Sequence, residues 1–218
     1  TRRLPMPTDS AANAANAEFL LRHAAPARIG LAGGDHPIDR TIRKAQRGLA
    51  ADPAGSAWSH AFLIGERRSD GQWWVLESDL DLRHKQVRLG AQENRLAKFF
   101  DAAAWPNLAV LDFGLDATRT GHVLTAALDL LAAATRYSLR EIVGTALALA
   151  RPRLRERTNL LAREGSLYCS AFVQHCYASA GVELAPHVGA KNATPHDLAA
   201  TRVPHRAERL LRQPGGVA

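Results

Sequence analysis

The sequence predicts an α+β fold: a small antiparallel sheet packed against one apolar helix and wrapped by further helices. Two observations carry that expectation. Residues 58–66 and 72–78 are strand-like segments joined by a polar turn containing Asp70-Gly71, the pattern of an antiparallel hairpin. Near the other end, Cys169, Phe172, Val173, Cys176, Tyr177 and Ala180 recur at i, i+3, i+4, i+7, i+8 and i+11, one face of an α-helix. Glu164-Gly165-Ser166 reads as a break and cap before that helix, and Gly181 as its stop.

Taken in order, residues 1–27 form an N-terminal extension, unstructured over 1–7, with Ser10 capping an Ala/Asn-rich helix that ends near His23. Residues 28–32 are a short strand closed by Gly33-Gly34. That glycine pair lacks a phosphate-binding fingerprint. A basic helix follows through Arg47, with Asp35 near its cap and Pro37 in its first turn. After the hairpin, residues 85–89 are expected as a strand, 91–104 as an amphipathic helix, and 108–113 as another strand. Residues 117–135 form a long Ala/Leu helix. Residues 139–150 form a second apolar helix, ended at Pro152 and followed by the basic run 151–157. Thr194 caps a short helix at Pro195-His196-Asp197-Leu198, and residues 201–218 are a basic tail. The domain is placed at 28–200, with 139–163 as a helical insertion.

The totals limit what the chain does. A length of 218 residues with 46% hydrophobic residues suits one domain with a substantial core. A net charge of +7 and a pI near 10.1 favour anionic partners, including an acidic wall polymer or membrane surface. Only 6% of residues are aromatic and none interleave with basic runs, so no specific nucleic-acid binding is expected. No apolar run reaches the ~20 residues of a membrane span. The N-terminal residues lack the apolar core of a secretory signal. The chain begins at Thr1 rather than Met, as after removal of a leader or a fusion partner. Localisation stays open between the cytoplasm and a non-classical export route.

Cys169 falls in the first turn of its helix, where free backbone N–H groups and the helix dipole stabilise a thiolate. Cys176 lies two turns deeper on the same stripe and reads as a packed hydrophobe. Seven residues of helical rise separate the two by about 10 Å, too far for a disulfide. That spacing also lacks the close pairing of a structural zinc site, and no metal or cofactor is expected.

A thiol hydrolase needs a cysteine, an imidazole to take its proton, and a polar group to orient the imidazole. Among the nine histidines, His60 alone is centred in a convincing strand. Alternation places Trp58, His60, Phe62 and Ile64 on one face of the first hairpin strand, and Trp73, Val75, Glu77 and Asp79 on one face of the second. A four-residue loop puts Glu77 directly across from His60. A two-residue turn puts Asp81 there, with Glu77 still on the same face. The orienting acid is therefore Glu77, Asp79 or Asp81.

The strings Trp58-Ser59-His60-Ala61-Phe62-Leu63-Ile64, Val75-Leu76-Glu77-Ser78 and Tyr168-Cys169-Ser170-Ala171-Phe172-Val173 together resemble the circularly permuted branch of the NlpC-type papain-fold hydrolases, which includes YiiX-like and lecithin–retinol acyltransferase-like proteins. There the His strand comes first and the Cys helix last. Thr194-Pro195-His196-Asp197-Leu198-Ala199 is similar to a turn that follows the Cys helix in that branch. The resemblance implies a permuted papain-like fold with Cys169 as nucleophile, His60 as general base and Glu77 as orienting group. It places Tyr168, Ser59 and Trp58 at the oxyanion and substrate pocket. It also implies hydrolysis of an amide through an acyl-enzyme, with a bacterial wall peptide or related amide as substrate. Two alternatives stand beside it: a lipid-directed acyltransferase or esterase of the same fold, and a non-catalytic binding module. A delivered toxin with an immunity partner is compatible with these residues, though nothing in them demonstrates delivery.

Overall fold

The computed structural model describes residues 10–46, 56–81, 88–133, 169–189 and 192–212. Chain order runs α1 (Ser10–His23), β1 (Ile29–Gly33), α2 (Pro37–Ala45), β2 (His60–Arg67), β3 (Trp73–Asp81), β4 (Arg88–Arg95), a 3-10 turn (Leu96–Phe99), β5 (Asn107–Asp112), α3 (Ala117–Ala132), α4 (Cys169–Ser179), α5 (Pro195–Ala199) and β6 (Arg206–Leu211). The strands form one antiparallel sheet in the order β4-β3-β2-β1-β5-β6. The α+β expectation holds, with a larger sheet than the sequence suggested.

Strand alternation sorts the apolar residues onto two faces. One face carries Ile29, Leu31, Ala61, Leu63, Leu76 and Leu111, and is covered by Phe172, Val173, Cys176 and Tyr177 of α4 and by Val123 and Ala127 of α3. The other carries Ala32, Phe62, Ile64, Val75 and Val110, and is covered by Leu20 of α1 with Leu96, Phe99 and Trp105. The sheet is thus buried on both sides, which explains why β1 and β5 read as nearly continuous apolar runs.

The cysteine helix ends as its sequence predicts. Gly181 adopts φ +73°, its N–H donates to Ala178 O at 3.0 Å, and Val182 N–H donates to Tyr177 O at 3.0 Å. A left-handed residue there closes the last turn without the clash a Cβ would make. Thr194 caps α5 in a reciprocal box with Asp197.

Three expectations are corrected. The segment 91–104 is not a helix: 91–95 belong to β4 and pair with Trp74–Ser78, and only Leu96–Phe99 turn helically. Leu96, Phe99 and Phe100 mimic helical spacing, while the β4 residues lack alternating apolar ones, so pairing with β3 decides the matter. The strand expected at 85–89 is described from Arg88, within β4, and residues 85–87 lie outside the described residues. The hairpin takes neither anticipated register. Glu77 lies opposite Phe62, because an irregularity between Ile64 and Arg67 shifts the pairing. Finally, Arg206–Leu211, expected within a basic tail, is a strand paired with β5. Its side chains are largely exposed, which is why the sequence shows no apolar alternation there. Asp35 lies next to the α2 cap, as expected; the cap is His36, and the Asp35 carboxylate pairs with Arg40. Residues 1–7, 139–163 and Tyr168 lie outside the described residues.

Candidate active site

His60 is the first residue of β2 and Cys169 the first of α4. The two side chains approach closely enough for Cys169 to help raise the His60 pKa, although α4 packs on the sheet face opposite the His60 side chain. Both lie at the ends of their elements, and that is how a helix on one face presents a thiol to a ring seated on the other.

His60 is 5% exposed and its ring has no freedom to wander. Phe62, Phe99 and Trp105 surround it at centroid distances of 6.3, 6.0 and 6.0 Å. Its Nε2 lies 2.6 Å from Glu77 Oε2. With that nitrogen committed, Nδ1 is the ring's other proton site. Glu77 occupies the diagonal position from His60 on the same face, so the acid reaches the ring without being its direct cross-strand partner.

Glu77 is fully buried, yet every part of its carboxylate is engaged. Oε1 accepts from Asn94 Nδ2 at 2.6 Å and from Lys98 Nζ at 2.6 Å. Lys98 Nζ also donates to Asp79 Oδ2 at 2.6 Å. Burial works against a Glu77 charge, but Lys98 and His60 outweigh it and hold the carboxyl at about 2. Burial likewise works against protonated His60. Asp79, the Cys169 hydrogen bond and Glu77 together overcome it and push its pKa well above 6.5. Lys98 follows the same pattern: burial lowers its pKa, and Glu77 and Asp79 raise it above its ordinary value. The arrangement is one charged chain running Cys169–His60–Glu77–Lys98–Asp79.

The backbone around the thiol is held from three directions. Ser170 Oγ donates to Ala193 O at 2.6 Å. Gln46 Nε2 donates to Trp58 O at 3.0 Å, and its Oε1 accepts from His196 N–H at 2.9 Å. The segment before α5 is thereby tied both to the start of α4 and to the entry of β2. At the far end of the helix, Tyr177 Oη donates to Ala27 O at 2.7 Å.

The structure therefore brings Cys169, His60 and Glu77 together, and adds Asp79 behind Lys98. It places two other expected pocket residues in the framework instead. Ser59 Oγ accepts from Gly34 N–H at 2.9 Å and faces Ala32 O at 3.4 Å, so its hydroxyl ties β1 to β2. Trp58, 6% exposed, packs in the core beside the cysteine helix. Cys176 is fully buried, and burial pushes its thiol up to about 12. Both cysteines are free. Sequence reading missed Lys98 and Asn94. Both fell in the segment taken for a helix, and only the strand pairing of β4 aims them at Glu77.

No family model and no curated protein sequence matches the chain. Among solved structures it is similar to the metalloprotein YiiX from Escherichia coli O157:H7, a DUF1105 protein, with a TM-score of 0.55 and 13% identity over 85% of this chain and 97% of that one. The chain thus has a YiiX-like fold. Among the described residues no helix is long and apolar enough to cross a membrane.

Proposed function

We propose that the chain is a cysteine-dependent amidase or peptidase of the permuted papain-like type, acting through an acyl-enzyme. One observation carries this reading: the His60 ring is pinned through Nε2 to a buried, ionised Glu77 and lies near enough to Cys169 for that side chain to help raise its pKa. His60 takes the thiol proton, and the thiolate sulfur attacks the amide carbonyl carbon. The Cys169 backbone N–H, at the start of α4, is positioned to donate to the resulting oxyanion. The imidazolium then protonates the departing amine, and His60 as base activates the water that releases the acid. A raised His60 pKa suits the protonated half of that cycle, and Glu77 keeps the ring in the orientation both halves need. By the resemblance of its motifs, the substrate is a bacterial wall peptide or a related amide.

The YiiX neighbour is described as a metalloprotein, so a metal deserves a fit test. His60, Glu77 and Asp79 each offer a ligand atom within 4.8 Å of the others. Lys98 decides against a resident ion: its ammonium already lies 2.6 Å from both carboxylates, where a second cation would meet it at close range. The residues do not fit a metal there, and no step above passes through one. The apolar segment 142–150, which with the positive charge favours the lipid-directed alternative, lies outside the described residues, and no described contact favours that alternative.

Cys169→Ala is expected to abolish amide hydrolysis on wall-peptide fragments while leaving the circular dichroism spectrum unchanged. Iodoacetamide at mildly acidic pH should label Cys169 far faster than Cys176, as peptide mapping would show. Undiminished turnover by Cys169→Ala removes the nucleophile assignment. Equal labelling of the two thiols points to the binding-module reading instead.

A further inference from the structure

Lys98 has no bond to the thiol or the imidazole, yet it bonds to two acids. It leaves the 3-10 turn after β4 and crosses the face of Phe99, its Nζ 5.3 Å from the ring centroid. The ammonium ends 2.6 Å from fully buried Glu77 and 2.6 Å from partly exposed Asp79. Two carboxylates and an imidazole converging within 4.8 Å are a donor set that hard and borderline divalent ions accept. Here the centre of positive charge belongs to a side chain.

We propose that Lys98 is a positioning residue that holds, between Glu77 and Asp79, the place a divalent cation would otherwise take. A tethered ammonium and a divalent ion serve the two carboxylates alike: each cancels their mutual repulsion and fixes Glu77 Oε1, leaving Oε2 aimed at His60. They differ in that the ammonium cannot dissociate, and it leaves the His60 nitrogens uncoordinated. Removing the ammonium should therefore convert the cluster into a metal site. This inference concerns binding at Glu77 and Asp79 and does not depend on the chemistry assigned to Cys169, so either can fail alone.

The test is equilibrium dialysis of the full chain against Zn2+, comparing wild type, Lys98→Ala, Lys98→Arg, Asp79→Asn and the Lys98→Ala/Asp79→Asn pair. Zinc bound elsewhere, at surface histidines or at Cys169 itself, is common to all five and cancels. Wild type, Asp79→Asn and Lys98→Arg should bind the same amount. Lys98→Ala should bind one further zinc per chain, with affinity at least about tenfold above the common background, and the double variant should lose it. Zinc in the wild type that disappears in Asp79→Asn overturns the proposal, as does a folded Lys98→Ala with no Asp79-dependent gain. If Lys98→Ala does not fold, it is refolded with Zn2+ or with chelator. Recovery with zinc alone supports the substitution of ion for ammonium, and no recovery with zinc overturns it.

Discussion

At the scale of single residues, the site turns on how a fully buried carboxylate stays charged. Glu77 spends one oxygen on His60 and the other on Asn94 and Lys98. Removing one partner of a buried ion pair costs about 3–5 kcal/mol, because the remaining charge is left uncompensated. Glu77→Gln should therefore lower stability by roughly that amount in urea titration. It should also reduce kcat/KM by about a hundredfold or more, since an amide cannot balance an imidazolium. The pH profile isolates the second effect. Protonated His60 is held by Asp79, the thiol and Glu77 against the pull of burial, so the alkaline limb of the wild-type profile should lie well above pH 6.5. Glu77→Gln removes two of the raising influences and should move that limb to lower pH. An unshifted limb would mean that some other group sets it.

At the scale of elements, β1 and the aromatic layer are coupled through a missing side chain. A Cβ built on Gly30 would lie 2.1 Å from Cζ of the Phe62 ring, which is itself buried and stacked on Phe99 at 4.1 Å. The ring therefore rests directly on the β1 backbone, and the same ring flanks His60. Gly30→Ala should force that layer aside at a cost of about 1–3 kcal/mol, measurable by thermal melting, and should depress turnover more than a surface glycine change does. The elements also show where sequence reading succeeds. α4 was legible because its apolar residues keep a helical period and its stop is a glycine. The hairpin was legible from Asp70-Gly71 and its flanking runs. β4 was not. Its residues from Ala91 to Arg95 pair through the backbone, and the polar Gln92 and Asn94 alternate toward a charged neighbour rather than an apolar one. Lys98 and Asn94 were hidden for the same reason, whereas Cys169 and His60 stood out on strongly periodic segments. The diagonal placement of Glu77 depends on a local irregularity near Ile64 that no residue type announces.

At the scale of the whole molecule, the buried charges set a pH window for stability. Glu77 has a folded pKa of about 2 against an ordinary 4.5, so its contribution is complete above pH 4.5 and is lost as pH falls toward 2. His60 runs the other way: its folded pKa is raised, so its contribution is complete below pH 6.5 and is lost as pH rises through the folded value. Together they should give a broad optimum of melting temperature between pH 4.5 and 6.5. In Glu77→Gln the acidic decline between pH 4.5 and about 2 should be shallower. A Glu77→Gln decline as steep as the wild type's would assign the acid limb to other carboxylates.

β6 closes the sheet beside β5, and Arg212 reaches from its end to α1, donating to Ala12 O at 3.1 Å and to the Asn16 side chain. The first described helix and the last described strand are therefore neighbours, and the wiring of the chain is separable from its shape. Joining residue 212 through a linker to residue 10 and reopening the backbone at exposed Gly114, between β5 and α3, would make the sulfur donor precede the imidazole along the polymer. Such a rearranged gene should still yield a protein whose Cys169 alkylates as readily as the parent's, because the new cut crosses none of the bonds that bring ring and thiol together.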